Sequence, residues 1–304
     1  MQTLILSSPP HWRELYRLGK PRVVMLIVFC AWIGMLLAGV NQQNWPTMLA
    51  AVLGIALIAS GAAAANCLFE ADRDAQMLRT HLRPLARGSV TPQWAALYAM
   101  SLTLFGAMLL AVFVNTLSLY LTLATFIAYA VVYTRWLKPA SPQNIVIGGA
   151  AGAMPPVLGW AAMSGGVSAE AACLFLIIYA WTPPHFWALA LYRIDDYRKV
   201  GLPMLPVTHG RSFTRLAIWL YSWILVATTY LPVALTFSGL IYALAATALN
   251  VWFLSAAWRV YRHSADDLAD QAARRLFRVS IAYLAYLFAA LLLDHYAAVL
   301  ARTS

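Results

Sequence analysis

The sequence predicts an all-α integral membrane protein, with about nine transmembrane helices around a central cavity that opens to the cytoplasmic side. Three observations carry this prediction. Of 304 residues, 62% are hydrophobic and only 11% are charged, against roughly 25% charged in a soluble domain. The apolar residues gather in runs of spanning length, and the basic residues alternate between successive connections as they do in multi-pass proteins. A bilayer covers that much apolar surface; a soluble fold of this length does not.

The apolar runs lie at about 23–40, 47–66, 93–114, 117–134, 145–163, 169–190, 214–231, 238–258 and 277–299. Each is near the ~20 residues that cross a ~30 Å hydrocarbon core. The third and fourth meet at Asn115-Thr116, and their joint length of about two spans predicts two helices joined by a tight turn. Within the fifth, Gly148 and Gly152 form a small-xxx-small face suited to close packing, and Pro155-Pro156 predicts a kink. The chain divides into an N-terminus (1–22), one transmembrane domain (23–299) and a short tail (300–304).

With nine helices, twenty of the twenty-one Lys and Arg residues fall on one side. They occupy the N-terminus and the connections after the second, fourth, sixth and eighth runs, and Arg302 at the C-terminus is the exception. The opposite connections, around 41–46, 115–116, 164–168 and 232–237, contain none. The positive-inside rule then predicts an N-terminus in the cytoplasm and a C-terminus outside. A wrong helix count would scramble the alternation, so count and topology support each other. The net charge of +10 is accounted for by topology, and nucleic acid is not needed to explain it. Cys30, Cys67 and Cys173 are odd in number and scattered in or beside apolar runs, which argues against a disulfide framework. No cleavable signal peptide is expected, because the first apolar run is long enough to remain as a span.

The connections with room for chemistry, 67–92, 191–213 and 259–276, all lie on the basic side. The second run ends in NCLFEADRDAQMLRTHLRPL. In it Asn66, Glu70 and Asp74 are spaced i, i+4, i+8 and fall within about 80° of one another on a helix. Asp72 points elsewhere. Two carboxylates and an amide oxygen on one face are hard ligands suited to Mg²⁺; the plainer reading is a solvated helix end with ordinary charges. The sixth run leads into LYRIDDYRKVGLPMLP, where Tyr192 and Asp196 again stand i, i+4, with Asp195 adjacent. Both acidic clusters emerge at the same face. Facing each other across a cavity, they can hold Mg²⁺ bridging a diphosphate, whose leaving-group charge the metal neutralises. Arg22, Arg79, Arg83 and Lys138 lie at this face and would complete a phosphate clamp, although a basic residue near lipid head groups needs no further role.

These motifs resemble those of the UbiA-type intramembrane prenyltransferases, and among them the branch that farnesylates haem. The likeness runs through LGKPRVVML, NCLFEADRDAQMLRTHLRPL, YTRWLKPASPQNIVIGGAAGAMPPVLGWAA and WTPPHFWALALYRIDDYRKVGLPMLPVTHG. The MxRTxxRPL and PHF…DYxxxGxPMLP stretches are its specific parts, since the acidic motifs fit any member. Glu70 stands where Asp is common, and Tyr192 opens the second motif where many relatives carry Asp. The resemblance implies catalytic roles for Asn66, Glu70, Asp74, Tyr192 and Asp196. Of these, Asn66, Glu70, Asp74 and Asp196 would hold Mg²⁺. It implies farnesyl diphosphate and haem b as substrates, bound with help from Arg22, Arg79, Arg83, Lys138 and His185. The product would be haem O, passed to a downstream haem A synthase or terminal oxidase, in a bacterial inner membrane.

His185 lies seven residues before Tyr192 and eleven before Asp196. If the helix runs through, the three share a face, with His185 about 16 Å deeper than Asp196. That would suit a haem-iron ligand; the alternative is a histidine hydrogen-bonded within the bundle. The Pro155-Pro156 kink would make room for a porphyrin, or merely serve packing. A sibling enzyme prenylating a quinone precursor would share the diphosphate site and differ in the acceptor pocket. A transporter would place charges near the bilayer midplane, whereas here they lie at span ends.

Overall fold

The computed structural model describes residues 9–39, 44–263 and 265–303. Val40, the expected end of the first span, residues 41–43 of the first outer connection, the start of the N-terminal segment and Ser304 lie outside the described residues. Among those described there are nine helices long and apolar enough to cross a membrane. They are α1 (Pro21–Ala38), α2 (Trp45–Gln76), α3 (Pro92–Phe113), α4 (Thr116–Ala140), α5 (Asn144–Ser164), α6 (Ala169–Leu191), α7 (Gly210–Ala234), α8 (Leu240–Arg262) and α9 (Asp266–Ala301). A short helix, Trp12–Leu18, precedes α1, and two more, Ile194–Lys199 and Leu205–Thr208, lie between α6 and α7.

Local chemistry sets most of the helix starts. The side chains of Thr91, Asn115 and Ser168 accept backbone N–H bonds at the starts of α3, α4 and α6, and Asn44 does so at α2, satisfying donors that a helix leaves unpaired in its first turn. Proline stands at the first helical position of α1 and α3, where its missing N–H is harmless. Neighbouring helices pack in a ring, α1 against α2, α2 against α3 and α4, α4 against α5, α5 against α6, and so on to α9, which touches α1 and closes the circle. The innermost member is α6, and α3 and α4 turn most of their surface outward. The cysteines are free and buried.

Three local details differ from the sequence reading. α2 continues past the apolar run to Gln76, and α9 begins at Asp266, well before its apolar run; both extensions carry charged residues. The α5 kink is a break at Met154 between two ten-residue helices. The small-residue face works in part only. A Cβ at Gly148 would meet the Tyr133 ring, whereas one at Gly152 would meet nothing within 4 Å. The tightest crossing is elsewhere, where Gly34 of α1 lies against the Pro156 carbonyl and Gly159 of α5 against that of Ala31.

Candidate active site

The end of α2 places its acidic face inward. Asn66, Glu70 and Asp74 are 2%, 5% and 4% exposed, while Asp72 is exposed, as the helical spacing predicts. Each inward group meets a cation or donor from another element. Lys20 Nζ donates to Asn66 Oδ1, and Lys138 Nζ to Glu70 Oε1. Arg83 Nη1 stands 2.5 Å from Asp74 Oδ2 and 3.9 Å from Glu70 Oε2. Burial works against the Arg83 charge, but Asp74, with Glu70 behind it, more than compensates, and its pKa is raised. The last part of α4 is a π-helix, Ile127–Leu137, a wide winding often found at functional sites. Thr134 and Lys138, four residues apart on α4, there face Asn66 and Glu70, four apart on α2. Thr134 Oγ1 accepts from Asn66 Nδ2 at 3.0 Å.

Asp196 comes to the same place from the second motif. It is buried, and its Oδ1 accepts the Leu78 N–H at 3.3 Å, just past the end of α2. Its Oδ2 lies 3.7 Å from Arg193 and has no hydrogen-bond partner. Asp195 is exposed and pairs with Arg198. Tyr197 is buried between the motifs; burial pushes its phenol up while Arg79 pulls it back.

The through-running face of His185, Tyr192 and Asp196 is not observed. α6 ends at Leu191, Tyr192 and Arg193 turn the backbone, and a separate helix starts at Ile194, so register cannot be carried across the break. Tyr192 is half-buried. Burial pushes its phenol up, against the opposing pull of Arg193, Arg274, Arg79 and Arg278. His185 is sandwiched between Trp181 and Phe277, with ring centroids at 4.2 and 4.4 Å. Its Nδ1 lies 2.6 Å from Ser280 Oγ on α9. The single Ser280 hydroxyl proton goes to the Phe277 carbonyl at 2.8 Å. Ser280 therefore accepts from His185 Nδ1–H, which leaves the ring's lone pair on Nε2.

Of the basic residues expected here, Arg83 and Lys138 join the cluster directly. Arg79 is exposed above it and acts on Tyr197, Tyr192 and Lys138. Arg22 is exposed on α1, and the cation that this end of the chain sends to the acidic face is Lys20. Lys20 adopts φ 49°, a left-handed conformation rare for a non-glycine residue, directly before Pro21. Lys20, Thr134 and Tyr197 are the site residues that sequence reasoning missed. The one available signal was the Gly-Lys-Pro string, in which a lysine is pinned between a flexible residue and a helix-starting proline.

Carboxylates and cations thus gather, paired, at one end of a helical ring. Residues 27–300 match the model of the UbiA prenyltransferase family. The chain belongs to that family and is a prenyltransferase of the membrane. It is 59% identical over 299 residues to a protoheme IX farnesyltransferase from Aromatoleum aromaticum, covering 97% of each chain. Its fold is similar to that of a digeranylgeranylglyceryl phosphate synthase, with TM-score 0.76 and 16% identity over 92% of this chain and 98% of the other. It is also similar to a UbiA homologue from Archaeoglobus fulgidus bound to GPP and Mg²⁺, with TM-score 0.60 and 17% identity over 91% and 99%.

Proposed function

We propose that this enzyme transfers the farnesyl group of farnesyl diphosphate to a vinyl group of haem b, giving haem O. The observation that carries the reading is the meeting of the α2 acidic face with Asp196 under a basic loop, in a chain more than half identical to protoheme IX farnesyltransferases. The basic end is the cytoplasmic one, in a bacterial inner membrane, with the C-terminus outside. The cavity opens there, and the product passes to a haem A synthase or a terminal oxidase.

Among the described residues no three His, Cys, Asp or Glu side chains converge as a metal cage. Mg²⁺ in phosphate sites needs only one or two protein carboxylates, with phosphate oxygens and water completing the shell. Asn66, Glu70, Asp74 and Asp196 are hard oxygen donors of this kind, and the buried Asp196 Oδ2, without a hydrogen bond, suits the role. Bound there, Mg²⁺ supplies charge neutralisation on the diphosphate leaving group. Arg83, Lys138, Arg79 and Arg22 bind the phosphate oxygens, helped by Lys20. The C1–O bond of the farnesyl group breaks with its electron pair leaving on diphosphate. The terminal carbon of the vinyl group donates its π pair to C1, and the porphyrin stabilises the cation left on the adjacent carbon. Water adds to that carbon and loses a proton to solvent, which gives the hydroxyethylfarnesyl chain. Tyr192 stands at the boundary between the diphosphate and acceptor regions. Neutral His185 offers Nε2 to the haem iron from below.

The test is the mass of the product after incubation of the purified enzyme with haem b, farnesyl diphosphate and Mg²⁺. Haem increased by one farnesyl group and one hydroxyl is expected, and chelation of Mg²⁺ should abolish it. Unchanged haem, with prenylation of a quinone precursor supplied in a parallel incubation, would overturn the reading.

A further inference from the structure

One face of α9 runs alongside the second motif. Phe277 stacks on His185 and meets the Tyr192 ring edge-on at 6.3 Å, Ser280 holds His185 one turn deeper, and Arg274 lies one turn toward the basic end. The Arg274 guanidinium sits over the Tyr192 ring, 4.9 Å from its centroid. Arg278, four residues on, acts on the same phenol, as do Arg79 and Arg193. The Arg193 guanidinium lies over the same ring at 5.9 Å, and like charges gathered near one phenol repel one another unless anions separate them.

The arginines nearest this corner have acidic partners. Arg211 takes both Asp266 and Asp270 from the start of α9, Arg87 and Arg17 share Glu14, and Arg193 has Asp196 at 3.7 Å. Arg274 and Arg278 have no ion pair among the described residues, although acids stand on their own helix. The site carboxylates Glu70, Asp74 and Asp196 pair with Lys138, Arg83 and Arg193. Arg274 stands one turn above the aromatic column that leads to His185, and Arg278 lies on the same helix face one turn further in. From Arg274 down to Ser280 the helix rises about 9 Å, comparable to the reach from a porphyrin's iron to its propionate carboxylates.

We propose that Arg274 and Arg278 form a dicarboxylate-binding subsite that holds the two propionates of the tetrapyrrole acceptor at the mouth of the site. This rests on the acceptor proposed above. Guanidinium binds carboxylate through a planar two-point contact that a lysine cannot reproduce, and two propionates call for two such groups. Anchored there, the flat ring lies along Tyr192 and Phe277 with its iron toward His185.

The subsite is tested with the full-length enzyme, Arg274→Gln, Arg278→Gln and the double variant. Haem b and its propionate dimethyl ester are each titrated by the Soret band, and KM is measured for haem b and for farnesyl diphosphate. Each single variant should weaken haem b about tenfold, the scale of one partly screened charge-assisted pair, and leave the KM for farnesyl diphosphate within about twofold. The wild type should bind the ester less tightly than haem b, and that preference should disappear in the double variant. A rise in the KM for farnesyl diphosphate would assign these arginines to the diphosphate and overturn the inference. An ester penalty that survives in the double variant, or no change in any variant, would leave them as head-group contacts and overturn it equally. A wild type that prefers haem b to its ester but forms no prenylated product would sink the proposed reaction alone, with the subsite standing.

Discussion

Asp74 and Asp72 lie two residues apart on α2 and should behave in opposite ways. Asp74 is buried and holds Arg83 at 2.5 Å, while Asp72 is exposed. Removing one partner of a buried ion pair costs about 3–5 kcal/mol, because the other charge is stranded. Here the stranded group is Arg83, whose side chain is 22% exposed and keeps Glu70 at 3.9 Å. The stability loss for Asp74→Asn should therefore fall to about 1–3 kcal/mol, small enough for the protein to remain folded in detergent. Activity should fall much further. A preorganised group that stabilises developing charge is worth about 10²–10³ in kcat, and Asp74 both ligates Mg²⁺ and positions Arg83 in the proposed site. Asp72→Asn should change turnover less than about twofold, in line with a neutral surface substitution. Turnover is read by product mass and folding by thermal melting of the purified variants. If Asp72→Asn proves as damaging as Asp74→Asn, the assignment of one helical face to the site is wrong.

The packing of α1 on α5 gives a second expectation. A Cβ at Gly34 overlaps the Pro156 carbonyl, which is backbone and cannot rotate away, so Gly34→Ala should lower the melting temperature by the equivalent of about 1–3 kcal/mol, whereas Gly152→Ala, which meets open space, should be neutral or slightly stabilising. For topology, a reporter fused near residue 165 should read outside and one near 205 inside, and the same side for both would break the nine-span arrangement. His185→Ala should alter the haem spectrum and spare diphosphate affinity if Nε2 meets the iron; equal loss of both ligands would make His185 a packing residue.

What was legible in the sequence follows from how far each inference had to reach. Asn66, Glu70 and Asp74 share one unbroken helix, so spacing alone put them on one face and turned Asp72 away. The nine spans were readable because a bilayer imposes one length on each, and the basic connections supplied an independent count. Register failed where the helix failed. Nothing at Tyr192-Arg193 is a glycine or a proline, yet the chain breaks there, so the His185 spacing described a helix that does not continue. Lys20 was unreadable for another reason. Its contact with Asn66 crosses 46 residues and depends on a left-handed backbone at a non-glycine position, which only the packed neighbours can hold. The same holds for Gly34 and Gly159, whose partners are carbonyls on another helix.

The pairing within the site bears on how it can accept a highly charged substrate inside a membrane. A carboxylate left alone at this depth would be neutralised by a proton or would unfold its surroundings. Glu70 and Asp74 avoid both through Lys138 and Arg83. The resting site is therefore close to electrical balance, and an incoming diphosphate with its Mg²⁺ can exchange partners one for one. In the proposed reaction the carboxylates would move from ammonium and guanidinium to metal, and the released cations would move to phosphate oxygens. Every buried charge would keep a counter-charge throughout, so binding need not strand any group. The same argument explains why metal and diphosphate should bind together: diphosphate alone would draw the cations away and leave Glu70 and Asp74 exposed to each other, and metal alone would leave Lys138 and Arg83 without partners.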